Sequence, residues 1–146
     1  MIYFDTAYLV KCYVNEPGAE AVRGLAAADG RIACCTYGRA ELAAAVQRKH
    51  RDGLLSEAQR ATVFAQIRHD DGRGVILWLP LPQTLLDRVF DAFACLPAEL
   101  PVRTGDAIHL ACAAANGFDT IYSSDRHLLA AAPWFGVAGR DILSPA

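Results

Sequence analysis

The sequence opens with Ile2-Tyr3-Phe4-Asp5-Thr6-Ala7-Tyr8-Leu9-Val10, an apolar run that ends in an acid and is followed by a second, mostly apolar stretch. Aromatic and β-branched residues at 2–4 favour a strand, and the stretch from Thr6 can open a helix. We therefore predict that Asp5 follows directly on a buried strand. This strand-then-helix start indicates the fold class, because the same alternation continues along the chain.

Further strand candidates alternate with helix candidates in the rest of the sequence. The strand candidates are 31–35, 75–79, 120–122 and 136–138. The helix candidates are 19–28, 38–51, a segment that starts at Ser56, 85–93, 104–115 and 125–132. This alternation predicts an α/β fold with a central parallel sheet of four to five strands, helices on both faces and right-handed crossovers. At 146 residues the chain has about the modal size of one domain, so we predict a single domain over residues 1–146.

Four acids lie where a predicted strand ends or a predicted helix begins, namely Asp5, Glu41, Asp106 and Asp125. Taken singly, each has a structural explanation as a helix cap or first-turn acid, and Asp5 fits that explanation least because it follows a strand. Taken together, they are expected to converge, because open α/β sheets bind ligands outside the carboxyl ends of their strands. Converging carboxylates repel, and a hard cation such as Mg²⁺ or Mn²⁺ relieves the repulsion with the oxygen ligands that it prefers. Phosphodiester hydrolysis suits such a site.

Four segments of the sequence resemble the motifs of one family. They are 3–11, 39–42, 103–111 and 121–125. Together they resemble the PIN-domain ribonucleases and, among these, the VapC-type toxins of type II toxin–antitoxin systems. The likeness covers essentially the whole chain, and its most specific piece is Arg103-Thr104-Gly105-Asp106-Ala107-Ile108-His109-Leu110-Ala111. Gly105 departs from the family pattern by its small size, and we expect it to loosen the turn before Asp106.

The resemblance implies a three-layer α/β/α sandwich and a site for Mg²⁺ or Mn²⁺. Asp5 and Asp106 would be the principal metal ligands, with Glu41 and Asp125 binding directly or through water. Ser123 would orient a carboxylate, and Thr6 would support the site. The implied activity is an endoribonuclease in which a metal-activated water leaves a 5′-phosphate and a 3′-hydroxyl. The implied partners are an RNA substrate and a cognate antitoxin protein, and we also expect a homodimer.

Charge and hydropathy limit the other classes of function. The net charge is −2 and there is no basic tail, so an RNA partner must be held locally. The candidate patch has Arg48, Lys49 and Arg51 at its centre, and its alternative is a solvated helix face. The longest uncharged stretches are too short to span a membrane, and no signal peptide is evident, so we predict a cytoplasmic protein without a membrane partner.

Some other residue types invite a functional interpretation. The five cysteines have no CxxC spacing and no neighbouring histidine in sequence, so we predict buried core residues and no zinc site. His109, one turn after Asp106, could be a metal ligand but is expected to pack in the core, whereas His127 is a candidate substrate contact. The larger aromatic residues are expected to make core or oligomer contacts before base stacking, namely Trp78, Trp134, Phe90 and Phe93.

Three other classes of function compete with a nuclease. A receiver-like Mg²⁺-binding regulatory domain would need a lysine after a late strand, which is not apparent. A phosphatase of the haloacid dehalogenase type would need a second aspartate two residues after Asp5, where Ala7 stands. A non-catalytic RNA- or antitoxin-binding module remains open, although the presence of all four acids disfavours it.

Overall fold

Strands and helices alternate in the computed structural model, which describes residues 1–144. The strands are β1 (Ile2–Phe4), β2 (Ile32–Cys35), β3 (Ile76–Leu79), β4 (Thr120–Tyr122) and β5 (Ala138–Arg140). The helices are α1 (Thr6–Tyr13), α2 (Ala19–Asp29), α3 (Thr36–Arg51), α4 (Glu57–Arg73), α5 (Gln83–Cys95), α6 (Thr104–Ala115) and α7 (Arg126–Ala131), with a 3₁₀ turn at Ala132–Phe135. Every predicted strand and helix is present, most with bounds displaced by a few residues.

The strands form one parallel sheet in the order β3-β2-β1-β4-β5. From β1 the chain adds β2 and β3 on one side and then returns to add β4 and β5 on the other. Right-handed crossovers therefore place α1 to α4 on one face and α5 to α7 on the opposite face, and the packing between helices follows this division. The three-layer α/β/α prediction is confirmed.

The core lies on both sides of the central strands. Tyr3, Phe4 and all four residues of β2 are buried, and α6 is buried along most of its length. Of the predicted core or oligomer contacts, Phe90, Phe93 and Trp134 do not make the core ones, since their side chains are exposed; the oligomer contacts stay a prediction. Helix α5 buries only Leu85 and Val89 of its apolar stripe, because no other element within residues 1–144 covers its outer side.

Most cysteines have the buried positions that were predicted. Cys34, Cys35 and Cys112 are buried and Cys12 is half-buried, but Cys95 is exposed at the end of α5. Within residues 1–144, no helix is long and apolar enough to cross a membrane.

Candidate active site

A cavity of about 590 Å³ lies at the carboxyl edge of the sheet, and all four predicted acids line it. Asp5 follows β1 and Asp125 follows β4, the two strands beside which the strand order reverses. Asp106 projects from the first turn of α6, and Glu41 projects from α3. The fold thus brings residues from four separate segments to one place, which we call the acidic cavity.

Asp5 caps α1 and also lines the acidic cavity, so the expectation that a cap explains it least is wrong. Its Oδ1 accepts a hydrogen bond from the Tyr8 backbone N–H at 3.0 Å, and its Oδ2 accepts one from the Ser123 hydroxyl. Asp5 as a whole is 4% exposed. Burial raises the pKa of Asp5 to about 6, although the hydrogen bonds from Ser123 and the Tyr8 N–H act in the opposite direction.

Ser123 connects two of the acids. Its hydroxyl donates to Asp5 and accepts a hydrogen bond from the Asp125 backbone N–H at 2.8 Å. Asp125 in turn caps α7 by accepting from the His127 N–H at 2.8 Å. Burial alone would raise the pKa of Asp125, but the His127 N–H and the Arg103 guanidinium hold it below its usual value. The side chain of His127 is not part of the cavity wall formed by the described residues.

Glu41 lies about half a turn further into its helix than the sequence suggested, because α3 begins at Thr36 and not at about residue 38. Its Oε2 accepts hydrogen bonds from the Thr6 hydroxyl at 2.6 Å and from His109 Nε2 at 2.8 Å. Two buried or half-buried groups from α1 and α6 therefore fix this carboxylate. Among residues 1–144, no side chain or backbone group donates a hydrogen bond to Glu41 Oε1.

His109 is buried, as the packing interpretation expects, but it is also a polar link between the core and the acidic cavity. Its Nδ1 lies 3.2 Å from the Tyr3 hydroxyl, which accepts a hydrogen bond from the Cys35 N–H at 3.2 Å. Because Glu41 Oε2 can only accept, we assign the proton to His109 Nε2, and Nδ1 then accepts from Tyr3. Both ring nitrogens are satisfied without a metal ion. Sequence reasoning missed this link because Glu41 and His109 are 68 residues apart.

Two cysteines lie beside His109 in space, although more than 70 positions of sequence separate them from it. The ligand atoms of Cys34, Cys35 and His109 all lie within 4.8 Å of one another. The Sγ atom of Cys35 is 3.5 Å from His109 Nδ1. Since Tyr3 already supplies the hydrogen bond to Nδ1, the structure explains this cluster as core packing around a satisfied histidine.

Arg103 is the second residue whose role sequence reasoning missed. Its Nε donates to Asp106 Oδ2 at 3.0 Å, its Nη2 donates to Asp106 Oδ1 at 3.1 Å, and the same Nη2 donates to Asp125. Asp106 also accepts from the Arg103 backbone N–H at 3.1 Å, so Arg103 is the residue that caps α6. The acid three residues after a helix cap was the available signal, since that spacing is typical of a capping box.

The donors lining the acidic cavity fit a hard divalent cation by their chemistry. All four acids supply carboxylate oxygens, which Mg²⁺ and Mn²⁺ prefer. Their spacing is wider than a compact ligand shell: within the described part of the chain, no three of these carboxylates bring oxygens within 4.8 Å of one another. The guanidinium of Arg103 lies between Asp106 and Asp125 and neutralises both.

Comparison with known proteins identifies the family. The model of the PIN domain matches residues 2–133, which is nearly the whole chain. The chain belongs to the PIN domain family. A search among curated proteins found no match to this PIN domain. PIN domains are mostly metal-dependent ribonucleases and generally use Mg²⁺.

The small residue before Asp106 has a steric role in this PIN domain. Gly105 has no positive φ and lies within the first turn of α6, so it does not loosen the turn as expected. A Cβ atom at Gly105 would lie 3.0 Å from Glu41 Oε1 and 3.3 Å from Tyr37. Glycine therefore leaves room beside the one Glu41 oxygen that receives no hydrogen bond.

The three residues at the centre of the predicted basic patch have different surroundings. Arg48 is exposed and lines the acidic cavity. Lys49 is half-buried and forms an ion pair with Glu16, and Arg51 lies at the exposed end of α3 beside Asp52. Among these three residues, only Arg48 is placed where a phosphate entering the acidic cavity would meet it.

Proposed function

We propose that this PIN domain is a Mg²⁺- or Mn²⁺-dependent endoribonuclease and the toxin component of a toxin–antitoxin module. The observation that carries the nuclease proposal is the meeting of Asp5, Glu41, Asp106 and Asp125 in one cavity where the strand order reverses. Family membership supports it, and it leaves the receiver-like and phosphatase alternatives without support. The toxin role rests on the motif resemblance alone.

Asp5 and Asp106 are the residues that would hold the cation, with Glu41 and Asp125 binding it directly or through water. A divalent ion bound there would lower the pKa of a water and neutralise charge on the scissile phosphate. The raised pKa of Asp5 supports this assignment, because a carboxylate buried without a basic partner gains most from an added positive charge.

Glu41 would orient the attacking water and accept its proton. Thr6 and His109 fix Oε2 and thereby the plane of the carboxylate. Oε1 remains available on the side that Gly105 keeps open. A general base needs this kind of fixed position within hydrogen-bond reach of the proton that it takes. Attack by water, and not by a 2′-hydroxyl, would leave a 5′-phosphate and a 3′-hydroxyl.

A cleavage assay tests the proposed function. Purified protein should cut single-stranded RNA in Mg²⁺ or Mn²⁺, stop in EDTA, and leave fragments that a 5′-phosphate-dependent exonuclease degrades. RNA that is bound but never cut under any of these conditions would favour the non-catalytic module instead. Co-expression with the protein encoded beside it, followed by the same assay, would test whether a cognate antitoxin suppresses the cleavage.

We also propose a homodimer, formed through the exposed apolar side of α5. Leu86, Phe90 and Phe93 lie on this side, with Phe90 77% exposed. Burying such side chains drives association. A double substitution, Phe90→Ser with Phe93→Ser, should give a monomer in light scattering while the wild type is dimeric. A matched Leu54→Ser variant, which changes another exposed apolar residue, should leave the mass unchanged. A monomeric wild type at high protein concentration would contradict the proposal.

A further inference from the structure

Among residues 1–144, Arg103 is the one residue that joins two of the four acids through charged hydrogen bonds. It bonds both oxygens of Asp106 and one oxygen of Asp125. Asp106 is 6% exposed, so its charge is buried and needs a partner. Any cation that binds Asp106 through an oxygen must therefore compete with the guanidinium for that carboxylate.

The guanidinium is also exposed enough to turn away from the two carboxylates. The side chain of Arg103 is 62% exposed at the mouth of the acidic cavity, whereas that of Asp106 is 9% exposed. The cap that the Arg103 backbone N–H makes to Asp106 is separate from the side-chain bonds. The guanidinium can therefore turn outward while the start of α6 keeps its backbone hydrogen bond.

An RNA phosphate that enters this cavity approaches four acids. The basic side chains that line the cavity, among the residues described, are Arg48 and Arg103. A guanidinium binds a phosphate in the same bidentate way as it binds a carboxylate. Arg103 thus has the chemistry and the position to hold the substrate once its carboxylates have another positive partner.

We propose that Arg103 exchanges partners: it pairs with Asp106 and Asp125, and when a divalent cation neutralises these two acids it binds a phosphate of the bound RNA instead. This inference rests on the proposed nuclease function. It assigns Arg103 as a substrate-binding residue whose availability depends on the metal. Binding of metal and binding of RNA are then coupled through one side chain.

The test compares Arg103→Gln with Arg39→Gln. Arg39 is a close match, since its side chain is 59% exposed and pairs at 2.8 Å with a mostly buried acid, Asp71, away from the acidic cavity. Mn²⁺ affinity is measured by calorimetry. Removing the competing guanidinium should tighten Mn²⁺ binding about fivefold, at the lower end of typical coupling between ligands because Arg103 is more than half exposed. Arg39→Gln should change nothing, and Arg103→Lys should fall between the wild type and Arg103→Gln, which provides a second variant if the first fails to fold.

RNA binding supplies the second readout. It is measured across a salt series in a Glu41→Gln background, with Mn²⁺ and with EDTA. With Mn²⁺, Arg103→Gln should flatten the slope of log K against log salt by about 0.7, the loss of one phosphate contact on a single strand. In EDTA the slope should not change, because the guanidinium is then held by the acids.

The outcomes test the partner exchange of Arg103 separately from the nuclease function on which it rests. If the wild type binds Mn²⁺ and cleaves RNA, but Arg103→Gln changes neither Mn²⁺ affinity nor the salt slope, the exchange is wrong and the nuclease function stands. A slope that flattens equally with Mn²⁺ and with EDTA would also overturn the exchange, since Arg103 would then contact RNA whether or not metal is bound. A wild type that binds no divalent cation overturns both.

Discussion

At the scale of single residues, the acidic cavity contains two buried acids that are neutralised in different ways. Asp106 has a guanidinium on both oxygens, whereas no Lys or Arg forms an ion pair with Asp5 among residues 1–144. Asp5 relies on the Ser123 hydroxyl and the Tyr8 N–H. The same kind of substitution should therefore have opposite effects on stability at the two positions.

Asp5→Asn should stabilise the protein in EDTA at pH 8. The pKa of Asp5 is about 6 in the folded protein, against 3.8 as the ordinary value, so the ionised form costs the folded state roughly 3 kcal/mol. Because the folded pKa is the higher one, protonation of Asp5 stabilises the folded wild type. This contribution is fully present below pH 3.8 and is lost as the pH rises through 6. The gain in melting temperature from Asn should thus be several degrees above pH 6 and disappear towards pH 4. Thermal unfolding in EDTA across this pH range measures it.

Asp106→Asn is the contrasting variant. It weakens three side-chain and backbone bonds from Arg103, so it should lower the melting temperature at pH 8 in EDTA. If Asp5→Asn were also destabilising at pH 8, the buried charge of Asp5 would already be compensated in the folded protein, and the account of its raised pKa would be wrong.

His109→Phe tests the polar link between the core and Glu41. Phenylalanine keeps the packing volume roughly, but the buried Tyr3 hydroxyl loses its acceptor and Glu41 Oε2 loses a donor. We expect a loss of about 1–3 kcal/mol in the free energy of unfolding, the usual cost of an unsatisfied buried polar group. Cleavage should fall by more than this loss of folded protein explains. Chemical denaturation and initial cleavage rates measure the two effects, with His127→Phe as the control; equal stability in both variants would contradict the link.

At the scale of elements, each acid is positioned by the start of a helix. Asp5 and Asp125 cap α1 and α7, Asp106 lies in the first turn of α6, and Glu41 lies one turn inside α3. The sequence predicted these elements because strand and helix patterns are local. It did not predict that Cys35 and Arg103 are the caps of α3 and α6, because neither cysteine nor arginine is a residue type that usually caps a helix.

Gly105→Ala tests the stability of α6 separately from the geometry of the acidic cavity. Alanine favours a helix over glycine by about 1 kcal/mol, so the melting temperature should stay equal or rise. Its Cβ would lie 3.0 Å from Glu41 Oε1, so the carboxylate must shift and cleavage should fall at least several-fold. Gly72→Ala is the matched control, since Gly72 lies in α4 with nothing within 4 Å of an added Cβ. Unchanged cleavage in Gly105→Ala would show that Glu41 Oε1 has no fixed role.

At the scale of the whole molecule, the strand order explains why residues from both ends of the chain meet. The reversal beside β1 sets Asp5 next to Asp125 through Ser123, although 120 positions of sequence separate the acids. This convergence was predictable from the sequence, because parallel α/β sheets place their sites at the carboxyl ends of strands. The Tyr3–His109–Glu41 link and the position of the Arg103 guanidinium were not, since they depend on side-chain packing across three layers.

The central claim is that these four acids form one metal-dependent nuclease site. Initial rates of RNA cleavage, measured over a Mg²⁺ titration, test it most directly. Asp5→Asn, Glu41→Gln, Asp106→Asn and Asp125→Asn should each lower the rate by at least about a hundredfold at saturating Mg²⁺, as expected for groups that act directly in the reaction. Glu99→Gln, at an exposed acid that does not line the cavity, should cleave at the rate of the wild type. Cleavage that continues undiminished in EDTA, or that survives in Asp5→Asn, would contradict the account.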